Sequence, residues 1–346
     1  NMNPNMAFYA VDTKIKTKEG RILNSRDWEK FVECSSIEQL EDMLKNNIEI
    51  GKAFEGVKVS HSRRINLETV MSRLRKIEIE NILHYFSGNY KDFLKTFLLE
   101  EEIHDLSLII RMLSRGESLN NIDERFIHSE LYTSLNFDDL AAVKTVEQLI
   151  NKLKGSIYYE GLKNFTGDDA LNREFHVEMK LYVALYKTMY ESAGKLDKED
   201  KRAAEELLGF RIDLLNVQWI YRALRYYKIS PEEMFIYSLE GGKDIGYKEL
   251  KNLCYSKSMD EFISLADRYL KHDLFNDLNS AEIDINGVID SYMYNYLKSR
   301  HYHSIGVAIS FIYLLDIVIN DLTSIIEGIK YDVPREELRG YLVYKI

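Results

Sequence analysis

Two histidine motifs are the residues of this sequence whose types and spacing could do chemistry. Glu101 and His104 are three positions apart, which places both side chains on one face of a helix. A Glu-x-x-His pair is part of the ligand set of helical di-metal carboxylate sites, which need a second such pair and two further carboxylates. No other pair, including Glu80 with His84, has that spacing. A metal-dependent helical enzyme would therefore depend on Glu101 and His104, and the alternative is a solvated acidic helix face.

The second motif is His301-x-His303. Residues two apart on a helix point to different faces, so a shared metal would require a strand or a loop. The neighbouring Arg300 and Tyr302 favour a polar helix end instead. The sequence also lacks the GxxxxGK[ST], GxGxxG, GxSxG and HExxH motifs. We therefore predict no catalytic residue, no metal and no cofactor.

Composition favours a chain of long helices. Only three prolines and 17 glycines occur in 346 residues, and the 45% hydrophobic content is enough for two or three cores. A net charge of -10 argues against a dedicated nucleic-acid binder. Cys34 and Cys254 have no partner motif, which predicts buried, inert thiols in a reducing compartment. The most apolar stretch, Ile305 to Ile319, contains Asp316 and is shorter than the roughly 20 residues of a membrane span, so we predict no span.

The helices that would position these residues follow a pattern that is clearest from Phe311 to Leu342. This stretch predicts a long helix, a break and a second helix. Leu315, Ile319, Leu322 and Ile326 recur at the spacing of a buried helical stripe. Gly328 loosens the last turn. Pro334 then restarts a helix whose first turn carries Glu336 and Glu337.

Two earlier stretches repeat this layout. Leu214 to Met234 carries a similar stripe, and Pro231 followed by Glu232 restarts a helix; Ile103 to Ser118 is a fainter version without the proline. The most similar triplets recur at roughly 110 residues, a domain-sized period rather than a solenoid repeat. These triplets are Ile109-Ile110-Arg111, Ile220-Tyr221-Arg222 and Ile325-Ile326-Glu327.

Each copy also begins alike, which predicts a tripled helical domain. A short amphipathic segment precedes a helix whose N-cap is Ser36, Thr145 or Ser258. The stretch Gly241 to Gly246 is the most linker-like in the chain. We therefore predict three helical units, at residues 7–120, 121–240 and 241–346.

Arg111 and Arg222 fall at matching positions in this alignment of the triplets. They could be partner contacts on a repeated surface, or helix-terminal cations whose stems lie along apolar surface. The third copy carries Glu327 there, so the three copies would not use the position in the same way.

Several stretches together are typical of one family. At the C-terminal end they are Asn320 to Gly328 and Val333 to Arg339, in the middle Asn216 to Arg222 and Ser230 to Glu233, and near the start Tyr9 to Gly20. They resemble the central-stalk subunit of V-type rotary ATPases and ATP synthases, called C in bacteria and archaea and d in eukaryotes. The likeness covers essentially the whole chain, although the first unit lacks the proline restart.

This resemblance implies an all-α fold of three similar helical domains in a pseudo-threefold arrangement that forms a funnel or socket. It implies a non-catalytic rotor subunit that joins the shaft subunits to the membrane proteolipid ring and transmits torque between ATP turnover and proton or sodium transport. The protein would be cytoplasmic and peripheral on the membrane, with no small-molecule substrate. Candidate partner-binding residues are Arg111, Arg222, Glu232 and Glu336. The alternative is a stand-alone helical scaffold that binds a partner helix or peptide in a groove.

Overall fold

The structure, a computed structural model, describes residues 4–22, 24–57, 66–275 and 284–344. The regular elements in these ranges are helices, which confirms the predicted all-α class. The α-helices are α1 (Pro4–Ile22), α2 (Ser25–Val32), α3 (Ile37–Asn46), α4 (Leu67–Leu83), α5 (Gly88–Lys95), α6 (Leu99–Ser114), α7 (Phe137–Ala141), α8 (Val146–Lys152), α9 (Tyr159–Leu162), α10 (Gly167–Asn172), α11 (Glu174–Ala193), α12 (Lys198–Tyr226), α13 (Pro231–Tyr237), α14 (Tyr247–Cys254), α15 (Met259–Leu270), α16 (Ile285–Lys298), α17 (Ile305–Lys330) and α18 (Arg335–Tyr341).

The chain forms two compact units. Unit 1 combines Asn1–Leu94 with Asp290–Ile346, and unit 2 is Lys95–Ile289. In unit 1, α17 packs mainly against α4 and also against α1, α2 and α3. In unit 2, α11 packs against α6 and α12. The division into three sequence units remains a prediction, because these two compact units group the helices in another way.

The predicted N-caps of α3, α8 and α15 are confirmed. In each helix the cap hydroxyl accepts a hydrogen bond from the backbone N–H three residues later. The side chain of that later residue accepts in turn from the backbone N–H just before the cap, at 2.8, 2.8 and 2.7 Å. The three sets are Ser35, Ser36 and Gln39; Lys144, Thr145 and Gln148; and Lys257, Ser258 and Glu261. This shared local geometry supports a common origin for the three segments.

A buried aspartate in each of α6, α12 and α17 holds a backbone segment that returns from further along the chain. Asp105 accepts hydrogen bonds from the backbone N–H groups of Ile127 (2.9 Å) and His128 (2.8 Å). Because a buried carboxylate is costly unless its oxygens are hydrogen-bonded, these contacts fix the returning segment firmly. We call Asp105, Asp213 and Asp321 the anchor aspartates.

The other two anchor aspartates bind their segments in the same way. Asp213 accepts from the N–H groups of Asp244 (2.7 Å) and Ile245 (3.2 Å). Asp321 accepts from Val343 and Tyr344, both at 3.0 Å. All three anchor aspartates are at most 2% exposed. Each long helix therefore receives a later backbone segment through one carboxylate.

The anchor aspartates correct the alignment of the repeats. Positions 105, 213 and 321 are equally spaced along the chain, and each aspartate precedes a leucine. On this alignment the residue equivalent to Arg111 is Trp219, which is 1% exposed, rather than Arg222. The prediction that Arg111 and Arg222 occupy matching positions is therefore wrong. The similar apolar triplets align Arg111 with a residue that lies one helical turn beyond its true equivalent.

The glycine-rich stretch after α13 packs against α12 and is not a free linker. The backbone N–H of Lys243 donates to the carbonyl of Gly209 on α12 at 3.2 Å. A Cβ at Gly209 would lie 3.0 Å from both Gly241 O and Lys243 N, so a larger residue would push this segment away. Gly209 and Asp213 lie one turn apart, and together they hold the stretch predicted to be a linker.

Helix α17 requires a correction to the membrane argument. Its 26 residues include an 18-residue window with a mean hydropathy of 1.9, so by length and composition alone it could cross a membrane. The predicted apolar stretch, Ile305 to Ile319, was therefore too short, because α17 continues to Lys330. However, 72% of that window is buried inside the protein, as expected of a core helix. Burial, rather than length, is what argues for a core role.

Both cysteines are buried, as predicted. Cys34 is 0% and Cys254 is 2% exposed, and neither forms a disulfide. Burial raises the pKa of the Cys254 thiol to about 11 and also raises that of Cys34. Since the thiolate is the reactive form, both residues behave as apolar core groups.

The anchor at Asp213 predicts a pH-dependent stability. Burial raises the pKa of Asp213 from 3.8 to about 7, although the bonds from Asp244 and Ile245 oppose the rise. A raised acid pKa favours the folded state below the unfolded pKa, and this contribution is lost as pH rises through about 7. When the pH is lowered from about 7.5 to about 4, we expect the free energy of unfolding of wild type to rise by roughly 2–4 kcal/mol relative to that of Asp213→Asn.

Urea unfolding of both proteins at the two pH values measures this difference. Asp260→Asn, at an exposed position on α15, is the control and should show little pH-dependent difference from wild type. An unfolding difference for Asp213→Asn that is the same at both pH values would contradict the assignment.

Candidate functional site

The largest group of paired charges among the predicted site residues lies on α6, α11 and α12 in unit 2. Arg111, near the end of α6, donates from Nε to Glu174 Oε1 at 2.6 Å. Arg115, just after α6, donates from Nη2 to the other oxygen of Glu174 at 3.0 Å. Glu174 is the first residue of α11, where a carboxylate also complements the helix dipole.

Arg222 on α12 lies near enough to Glu178 on α11 for its charge to act on that carboxyl. Its Nη2 donates to Asn286 Oδ1 at 3.1 Å, and Gln218 donates to the same oxygen. Burial raises the pKa of Glu178, while the positive charges of Arg222 and Arg111 oppose the rise. We call Arg111, Arg115, Glu174, Glu178 and Arg222 the arginine cluster. The structure thus brings Arg111 and Arg222 together, although their positions in the repeat differ.

The arginine cluster is a partly exposed, nearly neutral surface. The side chains of Arg111 and Glu174 are 41% and 44% exposed, so water and salt weaken their attraction. Three guanidinium groups face two carboxylates, which leaves one positive charge in excess. Such a surface suits contact with a partner that carries an acidic group.

Glu232 lies elsewhere in unit 2, at the start of α13. Ser230 caps this helix by accepting from the N–H of Glu233, and Pro231 occupies its first turn, as predicted. Burial raises the pKa of the Tyr255 hydroxyl, and the charge and hydrogen bond of Glu232 add to the rise. Phe235 on α13 contacts Tyr247 on α14 with ring centroids 5.0 Å apart. Helices α13 and α14 are therefore joined by aromatic contacts.

Glu336 occupies the equivalent place in unit 1, at the start of α18. Met234 on α13 and Leu338 on α18 are both buried, and each lies two residues after its glutamate. The Glu336 side chain is 95% exposed and lies 3.4 Å from Arg339, a long ion pair. Glu232 and Glu336 are thus available at two surfaces.

The two histidine motifs do not form metal sites in the described structure. Glu101 is buried, whereas His104 is half exposed and contacts Asp105 at 3.0 Å through Nδ1. His301 and His303 are exposed residues in the loop between α16 and α17. Within the described ranges, no group of three or more His, Cys, Asp or Glu side chains could hold a metal ion.

The residues that sequence reasoning missed are the anchor aspartates. Burial works against the ionised form of Asp105, but hydrogen bonds from His104 and His128 hold the pKa of its carboxyl below the ordinary value. The signal in the sequence was an Asp-Leu pair at equal intervals in the three long helices. The partners that make these aspartates important lie 22 to 32 residues away, so local patterns did not reveal them.

Taken together, these features define an all-helical protein with repeated segments and several charged or aromatic surfaces. Residues 11–341 match the family described as ATP synthase (C/AC39) subunit. Since this match spans nearly the whole chain, the chain belongs to that family. The resemblance seen in the sequence motifs is thereby confirmed.

Several proteins named as the C subunit of A-type ATP synthase are similar to this chain. The protein of Archaeoglobus fulgidus is 22% identical over 351 residues, which cover 97% of this chain and 96% of the relative. That of Methanococcoides burtonii is 22% identical over 322 residues, covering 91% and 85%. That of Methanosarcina mazei is 20% identical over 260 residues, covering 75% and 69%.

Replacing one arginine should leave the fold nearly intact if the arginine cluster is a contact surface. We expect Arg111→Gln to lower the free energy of unfolding by less than about 1 kcal/mol, because both partners are partly exposed and Arg115 still pairs with Glu174. Urea unfolding measures the change. Trp219→Ala, at the equivalent but buried position, should cost about 3–5 kcal/mol. A loss of more than about 2 kcal/mol for Arg111→Gln would show a structural role instead.

Proposed function

We propose that this chain is the central-stalk rotor subunit of an A-type or V-type ATP synthase. It joins the rotating shaft subunits to the membrane proteolipid ring as a socket. In this position it transmits the torque that couples ATP hydrolysis or synthesis to proton or sodium transport. The observation that carries the proposal is the family match over residues 11–341.

The internal construction of the chain suits a part that carries mechanical load. Long helices pack on one another, and buried carboxylates hold the returning backbone at three places. Close-packed interiors transmit strain rather than absorbing it. A rotor adaptor acts through stiffness and contact surfaces, so its role is non-catalytic and needs no cofactor.

The same role accounts for the distribution of apolar and polar side chains. The most apolar helix, α17, is used in the core of unit 1. Contact with the proteolipid ring would then be made by surface residues, with the chain peripheral on the cytoplasmic face of the membrane. Arg111, Arg222, Glu232 and Glu336 are the residues we propose for partner contacts, since the two glutamates are exposed and the two arginines are partly exposed.

Co-elution with the shaft subunits of the same organism's rotary ATPase tests this role. We expect a stoichiometric complex on a sizing column at low and moderate salt. Arg222→Gln should weaken the complex, so that it dissociates at a lower salt concentration than the wild-type complex, because a charge at an interface contributes to association. Lys201→Gln, which removes a 3.7 Å surface ion pair on the same helix, is the matched control and should bind like wild type.

Separate elution at every salt concentration, together with absence of the chain from the purified membrane complex, would contradict the rotor role. The stand-alone helical scaffold would then be the better account. If both variants bind like wild type, the rotor role stands but Arg222 is not a contact residue.

A further inference from the structure

Unit 1 contains a joint between α18 and α2 that is built differently from its counterpart in unit 2. Arg339 on α18 donates to Glu29 on α2 at 2.6 Å and also pairs with Glu33 at the end of α2. Arg335 donates from Nη2 to the carbonyl of Cys34 at 2.7 Å. In unit 2 the matching helices α13 and α14 meet through Phe235 and Tyr247. One joint is therefore ionic and the other aromatic.

The ionic joint connects parts of the chain that are about 300 residues apart in sequence. The side chains of Arg339, Glu29 and Glu33 are 29%, 40% and 52% exposed. Glu29 and Glu33 are also four residues apart on α2, where like charges repel each other. Arg339 neutralises this repulsion when α18 is in place, and dissolved salt weakens the attraction.

Helix α18 and the segment after it make further contacts within unit 1. Leu338 fits over Gly328 of α17, where a Cβ would lie 2.6 Å from Leu338 Cδ1. The ring of Tyr344 packs on that of Trp28 on α2, with ring centroids 6.0 Å apart. The backbone N–H groups of Val343 and Tyr344 bind Asp321. Between α17 and α18, Asp332 has a φ of 54°, a left-handed conformation that is unusual for a residue other than glycine.

We propose that residues 335–344 form a latch that opens as one segment, by rotation at the turn containing Asp332, while α17 stays folded. Arg339 with Glu29 and Glu33 supplies the salt-dependent part of closure, beside the burial of Leu338, Leu342 and Tyr344. Opening separates α18 from α2 and releases Val343 and Tyr344 from Asp321. The latch is a property of the isolated chain and is tested there, so it and the proposed function can fail separately.

Hydrogen exchange of the backbone amides of Val343 and Tyr344 reports on the latch. The amides of Asp244 and Ile245, which bind Asp213 in unit 2, are the internal control. We expect Arg339→Gln to speed exchange at Val343 and Tyr344 by about 3- to 10-fold, because the two partly exposed ion pairs that join α18 to α2 are lost. Raising the salt concentration should also speed exchange at these two amides in wild type, because salt weakens the ion pairs. The control amides should not change.

Two further variants separate the latch from a general loss of stability. Arg115→Gln removes an exposed ion pair in unit 2 and should leave exchange at Val343 and Tyr344 unchanged. The triple variant Glu29→Gln, Glu33→Gln and Arg339→Gln should exchange more slowly than Arg339→Gln alone, because α18 then no longer covers two carboxylates that have lost their arginine. The proposal is overturned if these amides exchange only through global unfolding, so that salt and Arg339→Gln change their exchange no more than that of the control amides.

Discussion

Hydrogen bonding of three buried carboxylates to backbone N–H groups is the interaction on which the rest of this structure depends. An aspartate inside a helical core is destabilising unless its oxygens are satisfied. Asp105, Asp213 and Asp321 meet this requirement with amides from a later part of the chain. The polar groups thereby fix where the chain goes after each long helix, a choice that apolar packing alone leaves less specific.

The three anchors share one geometry but differ in their surroundings. At Asp105, the ring nitrogens of His104 and His128 add hydrogen bonds to those from the backbone. Near Asp213, Gly209 allows the backbone of residues 241–243 to approach closely. Near Asp321, the held segment continues from α18, whose joint with α2 is ionic. Repetition preserved the anchor, while the neighbouring contacts diverged.

Features set by local sequence could be predicted, and features set by distant contacts could not. The N-caps at Ser36, Thr145 and Ser258 depend on a residue three positions away, so the sequence pattern was sufficient. The repeat register depends on aspartate contacts over 22 to 32 residues, and similar apolar triplets predicted it wrongly by one turn. Arg111 and Arg222 do not hold matching positions in the repeats. They lie together because α11, with Glu174 and Glu178, packs between their helices.

We propose that this chain of the C/AC39 family couples the rotating head to ion movement at the membrane. Membrane vesicles that carry the rotary ATPase, with and without this chain, test the claim directly through simultaneous measurement of ATP hydrolysis and ion transport. We predict that vesicles without the chain lose ATP-driven ion transport, and that adding the purified chain restores it. Ion transport that is equally fast and equally coupled in its absence would contradict the account.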